Sequence, residues 1–378
     1  VTGLTEEQSM VRDIAAAWVR EKAPVSAFRQ VHDGRFPLQF DPGLYAEMAE
    51  MGWAGMIVPE AYGGVDFGYR GLGLVVEALG RNLAASPLVA SALGAAGALA
   101  RAGDEAQKQR WLPGLASGEV IATLAVDEGP RHDPRATAMT ARPTPAGWRL
   151  NGVKRPTAEG LAADLVIVAA RTSGAPGESG GLTLFLVETT TPGLDRRALD
   201  QIDARGAAVL TFHEVEVGPE AMLGGVDAGA PLLDKVLDGV RAGLAAEMLG
   251  GAAQAFETTL DYLKTRVQFG QVIGRFQALQ HRMAALYGEL ELTRSAVEAA
   301  LTALDADDPE TPRLVSLAKA LAGDTARLVS NEMIQLHGGI GMTEEHDAGL
   351  YLKRARCADA AFGNAAFHRE RWARLSGY

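Results

Sequence analysis

Residues 266–283 read R-V-Q-F-G-Q-V-I-G-R-F-Q-A-L-Q-H-R-M, where one long run of apolar residues at helical spacing ends and another begins. Upstream, Leu232, Val236, Val240, Leu244, Met248, Phe256 and Leu260 keep a four-residue step, which predicts one long helix from Pro231 onward. Downstream, Phe276, Leu279, Met283, Leu286 and Leu290 begin a second, Thr311-Pro312 caps a third that runs to Leu336, and Glu345 to Tyr378 supplies a fourth. Residues 224–378 are therefore expected to form a four-helix bundle. At the junction, Arg266 offers a fixed fork of donors suited to a phosphate or diphosphate, and Phe269, expected on the same helix face, can stack on a flat ring. Gly270 and Gly274 let the chain turn and admit a ligand close to the backbone. Alone, the stretch reads first as an exposed Arg beside a core Phe at a helix end, because ridges of this kind are mostly packing.

A second stretch, Gln335 to Glu345, reads Q-L-H-G-G-I-G-M-T-E-E. The third bundle helix stops at Gly338-Gly339, a pair that frees backbone N–H groups to face an anion, or that serves only as a C-cap. Gln335 has the donors and acceptors to meet an adenine edge or a ribose.

Ahead of the bundle the periodicity changes twice. Thr5 with Gln8 forms a capping box for an amphipathic helix through Met10, Ile14 and Trp18, and Asp41-Pro42 opens another. Leu72 to Leu83 and the alanine-rich Leu88 to Ala102 follow, so residues 1–120 read as an all-α domain. Gly71-Leu72-Gly73 is not a dinucleotide fingerprint, because Val76 stands where the third glycine belongs and no strand precedes it. From 121 to 223 the period becomes alternating, with runs at Ala163–Ala170, Leu182–Glu188 and Val209–Val217 between Gly and Pro clusters, which predicts an antiparallel β-domain. Within it, residues 173–181 read as a surface loop. The fold class is thus α+β in three domains.

Composition narrows the function. A formal charge of -11 argues against a nucleic-acid surface, while a local basic pocket stays compatible with an anionic ligand. The single cysteine, Cys357, permits no internal disulfide and fits a reducing cytoplasm. No apolar run approaches the roughly 20 residues of a membrane span, and no signal sequence is evident.

Taken together, R-x-Q-F-G, F-Q-x-x-Q and Q-x-x-G-G-x-G in this order resemble the acyl-CoA dehydrogenase family. Leu4-Thr5-Glu6-Glu7-Gln8 is similar to that family's opening helix, and Val58-Pro59-Glu60-Ala61-Tyr62-Gly63-Gly64 with Glu77 to its V-P-E-x-Y-G-G segment, so the likeness runs nearly end to end. It implies an FAD-dependent α,β-desaturation of acyl-CoA thioesters in lipid metabolism, with electron-transferring flavoprotein as acceptor. It also implies long bundle helices that associate into dimers and tetramers, each flavin lying between two subunits. One subunit's β-domain then holds the isoalloxazine; the other's Arg266, Phe269, Gln335, Gly338 and Gly339 hold the adenosine diphosphate half.

Against that pattern, the chemistry is missing. The family's base is a Glu about 20 residues past the G-G-x-G turn, where Phe362 stands, or on the long bundle helix, where Val240 stands. Asp238 and Asp359 are near each place and read as solvated helix residues. The flavin-holding T-E-P-x-x-G-S-D loop is replaced by Asp127-Glu128-Gly129-Pro130-Arg131-His132-Asp133-Pro134, in which only Glu128 matches. The W-I-T-N segment, between a preserved Asn151-Gly152-x-Lys154 and a preserved Ala163-Asp164-Leu165, has become Pro156-Thr157-Ala158-Glu159. Loss of that aromatic forfeits on the order of 1 kcal/mol of stacking or more. The losses fall on one half of the shared site, so the sequence is expected to be the non-catalytic subunit of a hetero-oligomer. It would lend the adenosine diphosphate half to an FAD on a complete partner and be weakly active or inactive alone. Two other readings remain: a self-sufficient homotetramer using Asp238 or Asp359 as base, and a flavin-free acyl-CoA-binding or scaffold protein.

Overall fold

The computed structural model describes residues 3–378; Val1 and Thr2, the first two residues of the expected N-terminal domain, lie outside the described residues. Helix α1 (Glu6–Lys22) begins with the expected capping box, Thr5 Oγ1 accepting from the Gln8 amide and Gln8 returning a bond to the Thr5 N–H. Helix α2 spans Val25–His32 and α3 Pro42–Glu50, the latter capped by Asp41, whose carboxylate accepts from the Gly43 and Leu44 amides. Helix α4 (Gly68–Arg81) runs straight through the Gly71–Gly73 pair. Residues 89–96 make π-type turns before α5 (Gly97–Ala102), and α6 covers Glu105–Ala116.

The strands follow: β1 (Ala122–Ala125), β2 (Thr140–Thr144), β3 (Gly147–Ala158), β4 (Leu165–Arg171), β5 (Leu182–Glu188), β6 (Leu194–Ala198), β7 (Ala207–Val217) and β8 (Met222–Leu223). They make one eight-stranded sheet in the order β6-β7-β3-β2-β4-β5-β8, with β1 paired to β4 in parallel and most other pairs antiparallel. Leu150, Val166, Val168, Phe185, Leu210 and Phe212 fill its core. Residues 173–181 form the expected loop between β4 and β5. Arg171 organises it, donating to the carbonyls of Thr137, Gly180 and Arg135.

The C-terminal helices are α7 (Gly229–Thr265), α8 (Gln277–Asp305), α9 (Thr311–His337), α10 (Ala348–Ala360) and α11 (Ala365–Leu375), with the short strands β9 (Val267–Gln268) and β10 (Gln271–Val272) between α7 and α8. From Val236 to Gly250, α7 is buried on every side, so the four-residue step marks only one of its buried faces. Glu345 to Tyr378 is not one helix. Phe362 and Gly363 take positive φ (55° and 101°), and Asn364 restarts the chain as the cap of α11 by accepting the Phe367 amide at 3.0 Å.

By internal contacts the chain forms two compact units, one of Val1–Gln30, Gly73–Ala84 and Arg241–Tyr378, the other of Val31–Leu72 and Ala85–Val240. In the first, α4 meets α7 through glycines: a Cβ on Gly80 would lie 2.1 Å from the Glu247 carbonyl oxygen and one on Gly250 1.9 Å from that of Glu77. Only glycine allows backbones so close. Among the described residues, no helix is long and apolar enough to cross a membrane.

Candidate functional site

Helix α7 ends at Thr265, and the next residues do not prolong it. Val267 pairs with Val272 and Gln268 with Gln271 in the antiparallel ribbon of β9 and β10. Phe269 and Gly270 are the two turn residues, both at positive φ (54° and 77°), the handedness a two-residue hairpin needs. This corrects the expectation that Arg266 and Phe269 share a helix face. The turn instead throws Phe269 outward, 88% exposed and edge-on to Phe276 at 6.1 Å.

The ribbon walls an open groove of roughly 690 Å³ at the C-terminal end of α9. Arg266, Phe269, Gln335 and Gly338 all line it. Gly338, at φ 64°, ends α9 with its N–H on the Gln335 carbonyl, a conformation open to glycine. Gly339 is the next residue along, exposed, and is not part of the wall. Sequence reasoning missed Tyr262, Arg282 and His337, which also line the groove, and assigned Phe276 and Leu279 to the bundle interior although they too face it. Tyr262 had a readable signal, since it lies one helical turn before Arg266.

The groove's electrostatics rest on two arginines. Among the described residues, the Arg266 side chain makes no hydrogen bond or ion pair. Arg282, in contrast, is gripped bidentately by Glu332, Nε to Oε2 and Nη2 to Oε1, both at 2.7 Å. That hydrogen bond raises the Arg282 pKa above its ordinary value. His337 is 3% exposed and stacks on Tyr262 at 4.3 Å. Its Nδ1–H donates to the Met333 carbonyl at 2.8 Å, and burial lowers its pKa, so it adds no charge at neutral pH. An exposed aromatic, an unpaired guanidinium and an amide-bearing side chain around one open groove fit the adenosine diphosphate half of a dinucleotide.

The β-domain positions are committed otherwise. Glu128 accepts the amides of Ala138 and Met139 at 2.8 and 3.0 Å and the ammonium of Lys154 at 2.8 Å. Lys154 is wholly buried, and desolvation lowers its pKa against the opposing pull of Glu128. Asp127 is taken by His132, whose Nδ1 lies 2.9 Å from both carboxylate oxygens. Pro156 brings neither an aromatic ring nor an N–H. Glu159 is 5% exposed, its carboxylate pressed against Gly206, where an added Cβ would stand 2.2 Å from Oε2. These residues fit an isoalloxazine poorly: no aromatic ring is left to cover it, Asp127, Asp133 and Glu159 stand in the segments that replaced the family's, and the hydroxyl those segments keep, on Thr157, is fully buried.

Neither base position carries an acid. Val240 is fully buried, and Phe362 sits in the turn between α10 and α11, where its carbonyl accepts from Arg241 Nε and His368 Nε2, both at 3.2 Å. The expectation that Asp238 and Asp359 are solvated is corrected. Asp238 is 3% exposed, while the half-buried Asp359 accepts the Ala365 amide at 3.2 Å at the start of α11.

Helices, a β-domain and then helices bearing an arginine-lined groove define a three-part α+β class of protein with a candidate nucleotide site. Family models described as the acyl-CoA dehydrogenase N-terminal, middle and C-terminal domains match residues 5–119, 122–215 and 227–376, so the chain belongs to the acyl-CoA dehydrogenase family. It is 31% identical to mitochondrial isovaleryl-CoA dehydrogenase of Pongo abelii over 98% of this chain and 88% of that protein. Among solved structures it resembles butyryl-CoA dehydrogenase from Megasphaera elsdenii (TM-score 0.92, 28% identity, 100% of this chain and 99% of that one). It also resembles a chain of the ChsE4-ChsE5 complex from Mycobacterium tuberculosis (TM-score 0.89, 28% identity, 100% and 99%).

Proposed function

We propose that this chain is the nucleotide-gripping, non-catalytic subunit of a hetero-oligomeric, FAD-dependent acyl-CoA dehydrogenase. Arg266, Phe269, Gln335 and Gly338 hold the adenosine diphosphate half of an FAD whose ring is seated on a second, catalytically complete family member, while Gly339 stands outside the groove wall. When bound there, FAD supplies the hydride acceptor for desaturation of an acyl-CoA, and electron-transferring flavoprotein takes the electrons onward in the cytoplasm. Within the chain the division of labour follows residues 1–120, 121–223 and 224–378. This chain's own residues bind and orient nucleotide; no proton is moved by Phe362 or Val240.

The observation that carries this reading is the contrast between an unpaired Arg266 beside an outward Phe269 and a β-domain whose corresponding acids are locked in internal bonds. A complex of two differently named chains, ChsE4-ChsE5, in which a chain of this fold takes part, supports the assembly by analogy. The test is Arg266→Ala in the complex co-produced with its partner. FAD retention is expected to weaken by about 1.5–3 kcal/mol, the worth of a charge-assisted hydrogen bond. Flavin titration that finds the same affinity in the variant would show that Arg266 holds no phosphate and remove the reading's main support.

A further inference from the structure

The groove's two charged wall residues are Arg266 and Arg282, and they stand in opposite states. Arg266 is uncompensated among the described residues, whereas both Nε and Nη2 of Arg282 are bonded to Glu332, a partly buried carboxylate. Of the remaining polar wall residues, Gln268 and Gln335 are neutral amides, Tyr262 is stacked on His337, and burial lowers the His337 pKa. The groove therefore offers one net positive charge to a ligand. This matters because the two cofactors of acyl-CoA chemistry share an adenosine diphosphate core: FAD carries it bare, and coenzyme A carries it with an additional 3′-phosphate.

Resting on the function proposed above, we infer that Glu332 is a specificity-determining residue: by holding Arg282 it limits the groove to an adenosine diphosphate without a further phosphate. A diphosphate meets Arg266. A third phosphate finds its only other cation already neutralised, with a carboxylate behind it, and like-charge repulsion opposes its entry. Glu332→Gln keeps the size of the side chain and one carbonyl acceptor for Arg282 but removes the opposing charge, which leaves Arg282 able to pair with that phosphate.

The experiment uses the full chain purified without a partner and two probes, ADP and adenosine 3′-phosphate 5′-diphosphate, titrated calorimetrically at low salt. The wild type is expected to prefer ADP by about tenfold or more, because like charges brought together oppose binding. In Glu332→Gln, affinity for the 3′-phosphorylated probe should rise at least about tenfold while that for ADP changes less than about threefold, erasing the preference. A wild type that binds the 3′-phosphorylated probe as well as ADP overturns the inference without any variant. So does a variant in which both probes gain equally, since that is general charge and not selection. If ADP itself does not bind the wild type, the nucleotide-gripping function fails, and Glu332 has nothing to select.

Discussion

Lys319→Met is expected to cost about 3–5 kcal/mol of stability, enough to threaten the fold of a typical domain. Lys319 is wholly buried in α9, and its ammonium donates to three carbonyls, those of Ala358 at 3.1 Å and of Asp359 and Gly363 at 3.0 Å. The first two belong to the last turn of α10, where the helix itself has no donor left to give. Met fills the space and strands all three. The effect should also depend on pH. Burial, with Arg241 acting in the same direction against Asp359, pushes the Lys319 pKa down to about 7, below the ordinary lysine value of 10.5 that the unfolded chain recovers. Between those two values the unfolded chain binds more protons than the folded one, so stability contributed at this site rises with pH across that window and is flat below it. Methionine has no such dependence. Denaturant unfolding at pH 6 and pH 9 should therefore show the gap between wild type and variant widening at the higher pH. A gap that narrows, or a variant as stable as wild type, would show that the three carbonyls do not rely on this amine.

That lysine explains part of what the sequence hid. Between Thr311 and Leu336 the apolar periodicity is strong enough to place a helix, but a periodic pattern treats a charged residue as solvent-facing. Nothing local says that the end of α10 and the turn after it will bring carbonyls to it across 39 or more positions. Asp238 was misjudged for the same reason. Signals confined to a few neighbouring residues fared better: Thr5 with Gln8 and Asp41 with Pro42 start their helices as their side chains dictate. The change of period after Val120 located the sheet because alternation is set residue by residue. At the groove, the identities of Arg266, Phe269 and Gln335 were legible, but their geometry was not. Phe269-Gly270 satisfies both a helix end and a hairpin turn, and what separates the two is the pairing of Gln268 with Gln271, which no periodicity displays. Arg282 was hidden by lying among residues that read as the buried stripe of α8.

Purified without a partner, the protein is expected to be colourless, and co-produced with a complete family member it is expected to be yellow, with about one flavin per pair of chains. An FAD gripped at both its ring and its adenosine diphosphate gains affinity over either contact alone by the effective concentration of the second site, about 10²–10⁴-fold. This chain offers a groove with an unpaired guanidinium and an exposed aromatic for one half. For the other half it offers Asp127 already bonded to His132, Glu128 already bonded to Lys154, and a proline at position 156. A homomer of such chains would duplicate the grip on nucleotide and still lack a seat for the ring, whereas a mixed assembly joins one of each. Visible absorbance across a size-exclusion peak measures the outcome directly. A fully flavinated homomer that desaturates acyl-CoA would mean that the β-domain holds the ring through residues whose internal bonds must first break, and that an acid such as Asp238 or Asp359 serves as base. The borrowed-cofactor reading would then be wrong, and a two-residue variant, Asp238→Asn with Asp359→Asn, would be the next to make.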